Sequence, residues 1–286
     1  MAEHDWPRRV ATFAAFIILV IVAWELVKFI GGDPWRFDGW TWDPPLTIWF
    51  ATDLRLPHTW EIAAALVNPV QRSADESLAQ FLAAAAAYTW LEAGIGFVAG
   101  TVIGIALAAA FVHSGLLERA FVPYVIASQT IPIVALAPMI VFAFGQDVMS
   151  VVVIATYLTF FPVTIAMIRG LRSPDPRALE LMRSYAASNW SVFWKLRMPA
   201  SLPYLFTALK IAATASIVGA IVGEGPGGIP DGLGRAIINF NNQYISGPEK
   251  LWAAILVTAV LGIVFFGLVR LAEAIVLRGR PALGEG

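Results

Sequence analysis

The 286-residue chain contains no cysteine, so neither a disulfide nor a thiolate metal site can be built from it. Its three histidines, His4, His58 and His113, lie far apart, and no metal site is expected of them. Charge is scarce as well. Asp, Glu, Lys and Arg make up 14% of the residues, where a soluble domain carries roughly a quarter. A net charge of −1 provides no broad basic surface, so nucleic acid is not an expected partner. No Gly-Lys pair occurs anywhere, hence no G-x-x-x-x-G-K-[ST] loop to cradle nucleotide phosphates.

What the chain has instead is apolar length. Hydrophobic residues account for 58% of it and mean hydropathy is +0.72, the composition of an integral membrane protein. About 20 apolar residues cross the hydrocarbon core. Six such stretches are present, at 10–30, 81–112, 120–145, 148–168, 200–222 and 251–269. The expected fold is all-α, with about six transmembrane helices. Arg8 and Arg9 before the first stretch also fit a secretion signal. Against that, the stretch is long, has no clear small-x-small cleavage pattern and is followed by five more. No Ser-His-Asp set or carboxylate pair falls at membrane depth, so no catalytic centre and no cofactor are expected.

Basic residues orient the spans. With the N-terminus inside, 13 of the 19 Lys and Arg fall on the inner side, from Arg8, Arg9 and Arg119 through the group between Arg169 and Lys210 to Arg270, Arg278 and Arg280. Acidic residues concentrate in the first outer loop, at Asp33, Asp38, Asp43, Asp53, Glu61, Asp75 and Glu76. Both termini are then cytoplasmic. The same loop holds Trp35, Trp40, Trp42, Trp49 and Trp60, which reads as an interfacial lid because Trp favours the membrane–water boundary.

Between the fourth and fifth spans the chain turns polar: residues 180–199 read ELMRSYAASNWSVFWKLRMP. Asp175 before Pro176 is a helix start, a capping side chain followed by a residue whose missing N–H costs nothing there. Leu179, Met182 and Ala186 fall on one apolar stripe. Ser188 caps a second short helix, and Pro199 and Pro203 punctuate entry into the fifth span. Two readings stand on this pattern, a segment that docks on a partner and a helix pair lying on lipid headgroups.

The spacing resembles the "EAA" coupling segment of ABC-importer permeases. Glu180, Leu181 and Met182 open the pattern, Ala186 stands where the family has Gly, and nine residues later come Leu196, Arg197, Met198 and Pro199. Further stretches are similar to permeases of the nitrate/taurine/sulfonate type: Leu56 and Pro57 with Trp60, Glu61 and Ile62; Tyr88 to Glu92 leading to Gly96 and Phe97; and Ser128 to Pro132 followed by Ala135 to Pro138. The resemblance covers residues 56–275 and implies a bacterial inner-membrane subunit in contact with membrane lipid. Its implied partners are two separate ABC ATPase subunits, a second permease copy and an extracytoplasmic substrate-binding protein. Coupling is implied for Glu180, Leu181, Met182, Ala186, Ala187, Ser188 and Pro199. The implied organisation is an N-terminal span and Trp-rich loop over 1–80, a permease core over 81–275 and a tail over 276–286.

The third span is where a translocation pathway is expected, because Pro123, Pro132 and Pro138 interrupt its ladder and Ser128, Gln129 and Thr130 place polar groups near mid-membrane. Broken backbone there needs protein or water around it; the alternative is a kinked helix whose polar side chains satisfy their own backbone. Ser216 and Glu224 on the fifth span complete the candidate pathway. Gly96, Gly100, Gly104 and Ala108, and likewise Ala208, Ala212, Ser216 and Ala220, recur every four residues as packing faces. Glu92 is an intramembrane carboxyl whose role stays open. Glu25 and Lys28 are placed to reach the outer interface, Lys210 to snorkel inward, and Gly225 to Gly228 to form an outer turn. A self-sufficient secondary transporter would show repeat symmetry between its halves, and none is found. With no cation left at mid-membrane, a neutral, vitamin-like heterocycle of the pyrimidine or riboflavin kind is expected over nitrate, taurine or an alkanesulfonate.

Overall fold

The computed structural model describes residues 6–37, 40–71, 75–225 and 229–278. Eleven α-helices and one two-stranded hairpin are present among them. Five helices are long and apolar enough to cross a membrane, and a bent helix pair makes a sixth candidate span. The expected all-α membrane fold is therefore observed, with a small hairpin that the hydropathy pattern did not foretell. Of the Gly225–Gly228 run, 226–228 lie outside the described residues, as does the tail beyond 278. The chain forms two compact units.

The first unit comprises residues 1–82 and 237–256. It contains α1 (Trp6–Gly31), strands β1 (Trp35–Phe37) and β2 (Trp40–Trp42) paired antiparallel with Trp35 opposite Trp42, and α2 (Thr59–Val67). The loop after α1 is tied back by polar groups. Lys28 is fully buried, its Nζ donating to Asp53 Oδ1 at 2.5 Å and the Leu56 carbonyl at 2.6 Å. Glu25 accepts from the Thr59 N–H at 2.8 Å and the Thr59 hydroxyl at 2.7 Å, and pairs with His58 Nδ1 at 2.8 Å. The expectation that Glu25 and Lys28 reach the interface is thus corrected: a buried charge needs a partner, and the loop supplies one to each. Trp42 stacks on Phe29 at 4.5 Å and donates to its carbonyl at 2.9 Å, so this Trp closes the hairpin over α1.

The second unit comprises residues 83–236 and 257–286. It holds most of α3 (Leu78–His113), then α4 (Gly115–Ser128), α5 (Ile133–Phe144), α6 (Val148–Leu171), α7 (Pro176–Ser184), α8 (Asn189–Val192), a π-helical turn (Phe193–Arg197) and α9 (Met198–Glu224). The start of α10 (Leu233–Asn242) and most of α11 (Pro248–Val276) complete it. Helix α6 packs against α3 and α9, and both contacts depend on missing side chains. A Cβ on Gly96 would stand 2.4 Å from Ala155 Cβ, one on Gly100 2.6 Å from Thr159 Cβ, and one on Gly219 2.8 Å from Ala155 Cα. Ala208, Ala212, Ser216 and Ala220 are buried, as their spacing requires.

Two expectations change here. The stretch 120–145 is not one straight helix: α4 and α5 meet at 101° across residues 129–132. Pro132 has no N–H and disfavours helix in the residue before it, so the ladder stops there. Lys210 does not snorkel. Its Nζ bonds both oxygens of Glu273 on α11 at 2.9 Å, and pairing replaces exposure.

Candidate coupling site

The polar segment between α6 and α9 is built as a helix–turn–helix closed at both ends. The Asp175 side chain accepts from the Arg177 N–H at 2.8 Å, with Pro176 at the first helical position of α7. At the other end of α7, the Ala186 N–H reaches the Arg183 carbonyl at 2.9 Å and the Ala187 N–H reaches the Met182 carbonyl at 3.0 Å. These are the two bonds of a Schellman ending, in which one residue takes a left-handed conformation. That residue is Ala186, at φ +50°, and it is the only described non-glycine with positive φ. The Ser188 Oγ then accepts from the Ser191 N–H at 3.2 Å and starts α8.

Ala186 therefore does not extend the apolar stripe of Leu179 and Met182 as its spacing suggested; it is the exposed bend itself. Leu179 and Met182 are half-buried, while Leu181 is 58% and Tyr185 78% exposed. Glu180 is exposed and forms no ion pair among the described residues. The pair of short helices thus presents an acid, a leucine and a tyrosine outward.

Pro199 does not break the chain. Helical structure runs on from Asn189 to Glu224, and the adjustment occurs one turn earlier, where the Met198 N–H bonds Phe193 O in the wider π pattern. A proline ring presses on the carbonyl four residues back, and an expanded turn is one way to relieve it; such turns often accompany functional positions. The two ends of the segment are clamped. Arg197 donates to the Leu171 carbonyl at 3.2 Å, Arg172 pairs with Glu118, and Gly170 sits so close to α9 that a Cβ would lie 2.9 Å from Ser201 Cβ. These contacts hold the segment 176–192 close to the ends of α6 and α9.

The candidate pathway residues are not brought together. At the α4–α5 bend, Ser128 Oγ donates to the Val125 carbonyl and Thr130 Oγ1 to the Ala127 carbonyl, each at 2.7 Å, and the Tyr157 hydroxyl donates to the Ser128 carbonyl. Among the described residues, Gln129 Nε2 donates only to its neighbour Ser128 Oγ, at 3.5 Å. Ser216 is buried and donates to the Ala213 carbonyl at 3.1 Å. Glu224 is fully buried and accepts from the Gly234 N–H at 2.6 Å, while the Leu233 N–H reaches Thr89 Oγ1 at 2.9 Å. The Glu92 carboxyl is fully buried as well, and neither of its oxygens has a hydrogen-bond partner among the described residues. Helices α3 and α9 leave these two buried carboxyls near each other although they are 132 positions apart in sequence. Gly232, at φ +96°, makes room for the Glu224 carboxyl: a Cβ there would stand 2.3 Å from Glu224 Cδ. The π-turn and this glycine carried no legible signal beyond the prolines and the Gly-rich run near them.

Long apolar helices joined to a clamped polar helix–turn–helix define an integral membrane subunit. The binding-protein-dependent transport system inner membrane component family matches residues 100–277, and the chain belongs to it. It is similar to the formylaminopyrimidine transport permease protein ThiX of Halalkalibacterium halodurans, with 35% identity over 79% of this chain and 93% of that one. The riboflavin transport system permease protein RibX of Chloroflexus aurantiacus is 32% identical over 58% of this chain and 61% of that one. The putative aliphatic sulfonates transport permease protein SsuC of Bacillus subtilis is 27% identical over 66% and 67% respectively. This chain is the permease subunit of a binding-protein-dependent ABC importer, a transport subunit of the inner membrane.

Proposed function

We propose that residues 180–199 carry the force of ATP hydrolysis, performed on two separate ATPase subunits, into this permease. Glu180, Leu181 and Met182 meet the ATPase, the bend at Ala186, Ala187 and Ser188 sets the angle of the two helices, and the stretch up to Pro199 drives α9. The observation that carries this is the exposed, left-handed Ala186 at the position where the family has Gly. The permease works as a homodimer with both termini cytoplasmic, and a binding protein delivers solute on the opposite face. Residues 81–275 form its core, with 1–80 and 276–286 as additions. Ser128, Gln129, Thr130 and Pro132 at the α4–α5 bend contribute to the pathway from one side, and Ser216 and Glu224 contribute separately from α9.

The solute in this reading is a vitamin-like heterocycle of the aminopyrimidine or flavin type. Two observations support it: the names carried by ThiX and RibX, and the pairing of Lys210 with Glu273, which removes the cation an anion pathway would use. Glu180→Lys tests the coupling. The variant is expected to insert normally and to lose its ATPase subunits on co-purification, whereas undiminished capture together with full solute-driven hydrolysis would remove Glu180 from the interface.

A further inference from the structure

A groove of about 570 Å³ runs between one face of α3 and the stretch that leads into α9. Its floor descends α3 from His113 through Ala109 and Ala106 to Val102, and Trp190, Trp194 and Met198 form the facing wall. Apart from the His113 ring the lining is apolar. From His113 to Val102 the helix rises about 16 Å at 1.5 Å per residue, against roughly 15 Å for half of the hydrocarbon core. The slot is therefore one leaflet deep.

Its mouth has the chemistry of a membrane–water boundary. Trp190 is 66% and Trp194 50% exposed, their rings 5.5 Å apart, and the His113 ring lies 5.1 Å from Phe193. Indoles concentrate at that boundary. The segment 169–197, which supplies Trp190 and Trp194 to the groove, carries six cations and two carboxylates. Arg172 is paired with Glu118, but Lys195, beside Trp194, is exposed and forms no ion pair among the described residues. A soluble ATPase has no access to a slot that descends along a span, and an apolar floor with an exposed lysine next in sequence to its Trp wall matches an acyl chain below an anionic headgroup.

We propose that this groove holds an anionic phospholipid, one acyl chain lying along Ala109 and Ala106 and the phosphate meeting Lys195. The proposal rests on the reading that residues 180–199 lie at the membrane surface. It divides the coupling segment: α7 and the Ala186 bend face the ATPase, while α8 and the π-turn are seated on lipid. A lipid in this position stiffens the start of α9, where the ladder is already expanded.

The test uses the full-length permease and phospholipids with a photoactivatable group on one chain. Phosphatidylglycerol and phosphatidylcholine are compared by native mass spectrometry and by mapping the labelled peptides. Phosphatidylglycerol is expected to be retained preferentially and to label residues 102–113 and 190–198. Ala106→Phe, an exposed position that tolerates bulk, should abolish that label. Lys195→Gln should lower the phosphatidylglycerol preference roughly fivefold, as for one cation at an anionic surface. Equal retention of the two lipids, labelling unchanged by Ala106→Phe, or cross-links from the groove to a second permease copy would each overturn the proposal. ATPase capture by Glu180→Lys is read in parallel, so failure of the coupling reading and failure of the lipid site give different results.

Discussion

Ala186 offers a quantitative test of the bend. An L-residue held in the left-handed region costs about 1–2 kcal/mol relative to right-handed backbone, and Ala186 sits there at φ +50°. Glycine removes that strain but gains freedom in the unsatisfied, unfolded loop, offsetting about 0.4–1 kcal/mol. The balance favours Ala186→Gly by about 0.5–1 kcal/mol, a two- to fivefold increase in the population of the formed turn. Apparent affinity scales with the fraction of the competent conformer. Ala186→Gly should therefore bind the ATPase subunit as tightly as the parent chain, or up to about fivefold more tightly. Ala186→Val places a β-branched side chain, still less tolerant of the left-handed region than Ala, at the bend, so its affinity should fall below the parent's. Ala186→Trp adds bulk at the contact as well and should abolish transport. The assay is equilibrium binding of purified ATPase to the permease in nanodiscs. Weaker binding by the glycine variant, or parental binding by the valine variant, would refute the claim that the turn geometry governs docking.

Gly96→Leu should lower the thermal midpoint of the detergent-solubilised permease, since overpacking costs about 1–3 kcal/mol and a Cβ there already meets Ala155 at 2.4 Å; a midpoint equal to the parent's would argue against close α3–α6 packing. Gly232→Ala should impair transport while leaving the protein in the membrane, because a Cβ at φ +96° displaces the Glu224 carboxyl; unimpaired solute uptake by vesicles would show that the Glu224 position is dispensable. In this Cys-free chain, cysteines are introduced singly at Ser128, Gln129 and Thr130, and those at 129 and 130 should react with a small water-soluble thiol reagent at rates that change when ATP is trapped on the partner subunits. Inert cysteines at 128, 129 and 130 in every nucleotide state would make the bend packing rather than pathway.

Much of this architecture was legible because it rests on short-range rules. The apolar stretches needed only length, the stripe from Gly96 to Gly104 needed only a four-residue repeat, and the Asp175 and Ser188 caps needed only local chemistry. What could not be read depends on groups distant in sequence. Lys28 finds Asp53 and Lys210 finds Glu273 only after the chain has folded, so their sequence positions pointed both lysines to the interface. The 101° bend was visible as prolines but not as an angle, since a proline stops a ladder without setting where the chain goes next. Ala186 is the intermediate case. The resemblance put it where the family has Gly, while its spacing from Leu179 and Met182 pointed to a helical stripe that the left-handed backbone excludes.

The central claim is that the α7–Ala186–α8 bend is the surface on which the ATPase works. Tyr185, 78% exposed and adjacent to the bend, is the position to probe. A photo-crosslinking amino acid placed there in the assembled importer should yield a covalent adduct with the ATPase subunit, its yield altered by trapped ATP. An intact importer in which that probe labels only lipid, and never the ATPase in any nucleotide state, would contradict the account.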